Sequence, residues 1–143
     1  MDRSSVSFDL LKLSYEKGIL FIELPSGRRL AYVRPRIFRN KYGKNSITYE
    51  GINSSKKWTK LETYGAKLAE NITQGIARDL LLFSMRTMQN LQIVGHVYDE
   101  VIVECDKDVT VESVCRMMEK TPPWAEGLPL RADGYECEFY QKM

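Results

Sequence analysis

Long hydrophobic runs, paired cysteines and a marked charge excess are all missing from this sequence, and each absence narrows what the chain can be. The longest wholly apolar stretches fall far short of the ~20 residues needed to cross a bilayer. The start, MDRSSVSFDLLKLSYEKG, carries neither an apolar leader core nor a small-residue cleavage signature. A cytoplasmic protein with no membrane association is the expectation. Cysteine is sparse: Cys105, Cys115 and Cys137 are odd in number and lack CxxC spacing, which argues against a zinc cluster or a complete disulfide framework and for reduced thiols. The net charge is only +2, so no overall basic excess singles out nucleic acid as a partner, while a local basic patch stays compatible with one. Repeats and low-complexity tracts are absent as well.

What is present, 43% hydrophobic and 28% charged residues in a chain of 143, suits one globular domain with a real core. Residues 6–15 place Val6, Phe8, Leu10, Leu11, Leu13 and Tyr15 among polar neighbours ahead of Gly18, which predicts a short N-terminal helix. The runs ILFIEL, RRLAYVR, RIFRNK and NSITYEG, punctuated by PSG, RP and KYGKN, predict an antiparallel meander. Between residues 61 and 91 the period changes. Tyr64, Leu68, Ile72, Ile76, Leu80 and Phe83 recur at helical spacing with no internal proline, as one face of a long helix demands.

Strands are predicted over 93–98 and 101–105. A helix capped by Thr110 follows over 111–120, stopped by TPPW because proline cannot continue it. A last strand is expected in the tail, with Tyr135, Cys137 and Phe139 at alternate positions; Tyr135, Phe139 and Trp124 are taken as core aromatics. The fold class is therefore α+β, an antiparallel sheet with a long helix packed on it, preceded by a small β-meander. Residues 1–60 would form the N-terminal helix and meander, and residues 61–143 the core, as one structural unit.

Two features invite a functional reading. Opposite the apolar stripe of the long helix, Lys67, Asn71, Gln74 and Arg78 follow at spacings of four, three and four residues, aligning cationic and amide donors on one face. Such a row suits phosphates and base edges, although a plain solvated helix face is the commoner explanation. The second is QIVGHVYDEVIVEC, residues 92–105, where Asp99 and Glu100 interrupt two aliphatic runs. Neighbouring residues of a strand face opposite ways, so either the chain turns there or an acid is held for chemistry. A tight junction would make a rigid arm presenting carboxylates, a suitable ligand set for Mg²⁺. The bland alternative is that acids are common in hairpin turns.

Taken in order, TYGAKLAENITQGIARDLL, QIVGHVYDEVIVE, a helix, and PPWAEGLPLRADGYECEFYQK resemble the C-terminal palm region of family A DNA polymerases, the DNA polymerase I group, and most closely its phage-type members. LPSGRRLAYVRP and ITYEG are similar to the segment before the long helix in those enzymes. The resemblance implies a partial palm fold in which Asp99 is a metal ligand, with Glu100 the neighbouring acid, in a site using two Mg²⁺ ions. It implies primer-template DNA and a deoxynucleoside triphosphate as partners, in a bacterial or phage-infected cell.

The family's His-Asp-Glu triplet here reads Tyr98, Asp99, Glu100, with His96 two places earlier. Tyrosine can hydrogen-bond and stack but carries no positive charge, so a contact near the primer end would change. Gln74 resembles the family's helix Gln that touches the primer-template minor groove. Asn71 departs from the spacing of the cellular enzymes, and Lys67 and Arg78 are assigned from the polar face alone. No segment resembles the strand bearing the family's other metal-binding Asp, or the fingers helix that grips the nucleotide, so the chain alone should not polymerise DNA, and its exposed apolar surface should favour self-association. The alternatives are a stand-alone prophage remnant, acting as a non-enzymatic DNA-binding or complementing subunit, and a metal-dependent nuclease built on the Asp-Glu hairpin.

Overall fold

The computed structural model describes residues 4–140. It is α+β, with a six-stranded antiparallel sheet in the order β1-β2-β3-β4-β5-β6, a long helix and a separate two-stranded sheet. The chain divides into two compact units, Met1–Ile76 and Ala77–Met143. Among the described residues no helix is long and apolar enough to cross a membrane.

The first unit is a pure up-and-down meander: β1 (Ser4–Phe8), β2 (Leu11–Glu16), β3 (Ile19–Glu23), β4 (Arg29–Arg39), β5 (Asn45–Ile52) and β6 (Trp58–Thr63). The expected N-terminal helix is overturned, since residues 6–15 form the β1–β2 hairpin. The Leu10-Leu11 doublet imitates helical spacing. In fact two period-two runs are joined by a turn at Asp9, whose φ is 47°, and Val6 opposes Leu13 while Phe8 opposes Leu11. Ladder partners share a face, so Val6 and Leu13 fall on one side of the sheet without any helix.

The same alternation builds the core of this unit. Leu20 opposes Tyr32 and Ile22 opposes Leu30, and Tyr49 opposes Leu61. Ile22, Leu24 and Tyr32 are buried, and the Tyr32 and Tyr49 rings meet edge to face with centroids 5.0 Å apart. The opposite face mixes Ile19, Phe21 and Val33 with charged side chains, and Arg29 lies 3.7 Å over the Phe21 ring and within 3.8 Å of Glu16.

The long helix α1 (Gly65–Thr87) begins in this unit. Its Asn71 donates to the Tyr32 hydroxyl at 3.0 Å, and its Gly75 lies against Leu24 and Leu30. A side chain at Gly75 would put its Cβ 2.8 Å from Leu24 Cδ1, so the glycine permits this close approach. Tyr64, counted in the apolar stripe, precedes the helix and is 53% exposed. Leu68, Ile72, Ile76, Leu80 and Phe83 are half-buried, whereas the most deeply buried apolar side chains of this stretch are Leu81 and, just past the helix, Met88.

The second unit holds the end of α1, the hairpin β7 (Gln92–Val97) and β8 (Glu100–Glu104), the helix α2 (Val111–Met118) and a short 3₁₀ turn at Pro123–Ala125. Thr110 caps α2 as expected, its hydroxyl accepting from Ser113 N at 3.2 Å. At the other end of α2, Ser84 Oγ and Thr87 Oγ1 of α1 donate to the carbonyls of Met118 and Met117 at 3.2 and 3.1 Å, satisfying acceptors that a helix terminus leaves open.

The expected last strand is not there: residues 131–137 form no regular element and join no ladder. Alternating aromatics make a strand only where backbone partners exist. This tail is held instead by Glu119 Oε1, which accepts from Ala132 N at 3.2 Å. Nor are its aromatics core: Tyr135 is 37% and Phe139 72% exposed, while Trp124 is half-buried.

Candidate functional site

The question posed by the Asp-Glu pair has a structural answer, because the chain turns there. Val97 pairs with Glu100 and His96 with Val101, leaving Tyr98 and Asp99 as a two-residue turn. A junction this short fixes the register of both strands. Tyr98 adopts a left-handed φ of 51° and is 87% exposed. Asp99 sits beside it at the tip, exposed, and Glu100 opens β8, half-buried. The hairpin is locally irregular between Ile93 and Gly95, and Gly95 packs where a Cβ would come within 3.3 Å of Ile102 Cδ1. His96 is exposed on β7.

Asp99 and Glu100 stand at the edge of an open cleft of about 1020 Å³ formed by β8, α2 and the tail from Asp133 to Tyr140. Val101, Val103, Val114 and Met118 give it an apolar lining. Across it lies Tyr135, whose phenol is held above its ordinary range first by desolvation, then by the neighbouring Cys137, Glu100 and Tyr140. The Cys115 thiol is likewise pushed up, by burial and then by Asp133, Glu119 and Glu112, which disfavours its thiolate form. All three cysteines are free. The proximity of Tyr135 to Glu100 had no signal in the sequence, where the tail reads as a packing strand.

Mg²⁺ demands a near-octahedral oxygen cage. Among the described residues no group of three His, Cys, Asp or Glu side chains gathers to hold a metal ion.

Of the polar row on α1, Lys67, Gln74 and Arg78 are exposed and Asn71 is half-buried. Asn71 is tied to Tyr32 through its amide nitrogen, which separates it from the other members of the row.

No protein-family model matches the chain, and no solved structure matches it. A curated protein of Bacillus phage SP02 named DNA polymerase is 43% identical over 136 residues, an alignment covering 92% of this chain and 21% of that protein. The chain thus spans about a fifth of the length of the relative it matches, and nearly all of it is similar to a segment of a phage DNA polymerase.

Proposed function

We propose that the chain is the C-terminal palm portion of a phage-type family A DNA polymerase, carrying one metal-binding carboxylate and part of the primer-template surface. The observation that carries this reading is the 43% identity over 92% of the chain to a phage DNA polymerase. The tight turn that presents Asp99 at the tip of a hairpin agrees with it. Asp99 is the metal ligand and Glu100 the adjoining acid. Gln74 contacts the primer-template duplex, with Lys67 and Arg78 beside it, and Tyr98 and His96 lie toward the primer end. Asp99, with Glu100 beside it, would hold one carboxylate toward a pair of Mg²⁺ ions, which would supply activation of the attacking hydroxyl and stabilisation of the leaving oxygen, with the remaining ligands supplied by the rest of the complete polymerase. The role of the hairpin is to hold the Asp99 carboxylate still, so that no reorganisation is needed when charge develops.

The test is primer extension by the complete polymerase carrying Asp99→Ala. Extension should fall by several orders of magnitude while affinity for primed DNA stays within a few-fold, and the 143-residue chain by itself should extend nothing. Extension at the wild-type rate by the Asp99 variant would remove this residue from the mechanism.

A further inference from the structure

The β4–β5 hairpin carries a surface that the polymerase reading leaves without a role. β4 pairs with β3 only as far as Val33, opposite Ile19. Past the irregularity between Val33 and Arg36 it pairs only with β5, through Arg36–Thr48, Ile37–Ile47, Phe38–Ser46 and Arg39–Asn45. At ~3.3 Å per residue, those four positions carry the arm about 13 Å beyond the end of β3.

The tip is stiff. Asn40 Oδ1 accepts from Tyr42 N and Lys44 N at 3.0 and 3.1 Å, and Asn40 Nδ2 donates to Ser46 Oγ at 3.0 Å. Asn40 N donates to Lys44 O, and Gly43 N to Asn40 O, both at 2.9 Å. Gly43 supplies the left-handed residue that this closure needs, with φ 73°.

Its chemistry is one-sided. RPRIFRNKYGKN, residues 34–45, holds five cations and no acid. Arg34 is engaged by Glu50, and Arg36 lies close enough to Glu50 to lower that carboxyl's pKa. Arg39, Lys41 and Lys44 are exposed. Beside them Tyr42 is 73% and Ile37 77% exposed, with Lys41 Nζ 5.0 Å from the Tyr42 ring centroid. Charges on a free strand edge also discourage edge-to-edge pairing. That purpose is served by either sign and is opposed by an exposed tyrosine and isoleucine. A stiff arm with cations of one sign along both faces, and Lys41 beside the open Tyr42 ring, matches the stacking-plus-phosphate surface that grips an unpaired strand.

We propose that the β4–β5 arm is a contact for single-stranded DNA, in which Arg36, Arg39, Lys41 and Lys44 neutralise backbone phosphates and Tyr42 stacks on a base. It deepens the polymerase reading and rests on it for the choice of DNA as ligand. The two fail separately, because extension by the Asp99 variant and strand binding by arm variants are different readouts.

The experiment is fluorescence anisotropy of a labelled oligothymidylate with the 143-residue chain across a series of salt concentrations. Replacing all four cations by Ala should weaken binding by about a hundredfold or more at low salt and flatten the log–log salt slope by about 3, at ~0.7 for each phosphate no longer neutralised. The swap Arg36→Lys, Arg39→Lys, Lys41→Arg, Lys44→Arg should retain affinity within a few-fold. Tyr42→Ala should weaken binding about tenfold and Tyr42→Phe hardly at all. Matching circular dichroism spectra and melting curves distinguish weaker DNA binding from misfolding, and Lys41→Glu with Lys44→Glu, confined to the exposed tip, repeats the test with the strands untouched. Wild-type affinity and slope in both the four-Ala and the two-Glu variants would overturn the proposal. So would binding of a polyglutamate peptide as tight as that of the oligonucleotide, which would make the partner an acidic protein.

Discussion

Asn71 donates its amide hydrogen to the Tyr32 hydroxyl across 3.0 Å, joining the first turns of α1 to the centre of the six-stranded sheet. Tyr32 is only 4% exposed, and a buried hydroxyl that loses its partner costs ~1–3 kcal/mol. Asn71→Ala should therefore lower unfolding free energy by about 1–2 kcal/mol, read by urea titration. Its effect on affinity for primed DNA should be smaller than that of Gln74→Ala, whose exposed side chain has no such bond among the described residues. A stable Asn71 variant with impaired DNA binding would reverse that assignment.

Gly75 is the close-approach point of the same helix. Its carbonyl accepts from Arg28 Nη2 at 2.7 Å, and a Cβ would sit 2.8 Å from the Cδ1 of Leu24, a side chain only 2% exposed. Alanine gains up to ~1 kcal/mol in helix propensity, while overpacking a tight site costs ~1–3 kcal/mol. The net for Gly75→Ala should be a loss of about 1 kcal/mol, and Gly75→Val should lose considerably more. A more stable Ala variant in thermal melting would mean that Leu24 yields freely.

The Asn71 and Gly75 contacts mark the boundary of what the sequence makes legible. Most of the β-meander, the long helix, the Thr110 cap and the Tyr98-Asp99 junction were readable, because period, capping chemistry and turn residues are local signals; but RP, expected to be a turn, lies inside the single strand β4, where the chain passes through a β-irregularity, and β6 was not expected as a strand at all. The β1–β2 hairpin was not, because the Leu10-Leu11 doublet across its turn gives both helical and alternating spacings. The tail failed for the opposite reason. Tyr135, Cys137 and Phe139 alternate correctly, but whether a ladder partner exists is a tertiary fact. At the candidate site the turn bearing Asp99 was legible, whereas the placement of Tyr135 near Glu100 depends on how the tail crosses α2, and the Asn71–Tyr32 bond joins residues far apart in sequence.

Thr63 is 1% exposed, and its Oγ1 is buried with no hydrogen-bond partner among the described residues. Burying a hydroxyl without a partner is unfavourable, so removing it at nearly constant shape should help. Thr63→Val should raise the unfolding free energy by about 1 kcal/mol. Chemical denaturation gives the sign directly, and a destabilised Val variant would show that the hydroxyl is satisfied in solution.

Glu50 provides a pH signature on the exposed face of the sheet. Trp58 Nε1 donates to its Oε2 at 3.3 Å and Arg34 Nη1 to both oxygens at 3.2 and 3.1 Å. The indole bond first, then the guanidinium, hold its pKa below the ordinary 4.5. Because folding lowers this pKa, the ionised carboxylate stabilises the fold above pH 4.5, and the contribution is lost as pH falls through the folded value. Melting temperatures of wild type and Glu50→Gln should differ slightly at neutral pH and converge in acid. A difference that persists unchanged at the lowest pH would mean that the carboxylate is not its source.

Tyr98 is where the candidate site and its energetics conflict. A φ of 51° in a residue that is 87% exposed leaves its side chain with little packing to offset the left-handed backbone, which costs ~1–2 kcal/mol for a residue with a Cβ. Asparagine tolerates this region better. Tyr98→Asn should thus stabilise the hairpin by about 1 kcal/mol. If the ring lies toward the primer end, the same substitution in the complete polymerase should slow extension by about tenfold or more, with Tyr98→Phe much closer to wild type. A gain in stability alone would leave the tyrosine with no role beyond the turn. A gain in stability together with slower extension would mean that a strained backbone is tolerated at this tip because the side chain it presents contributes to the reaction.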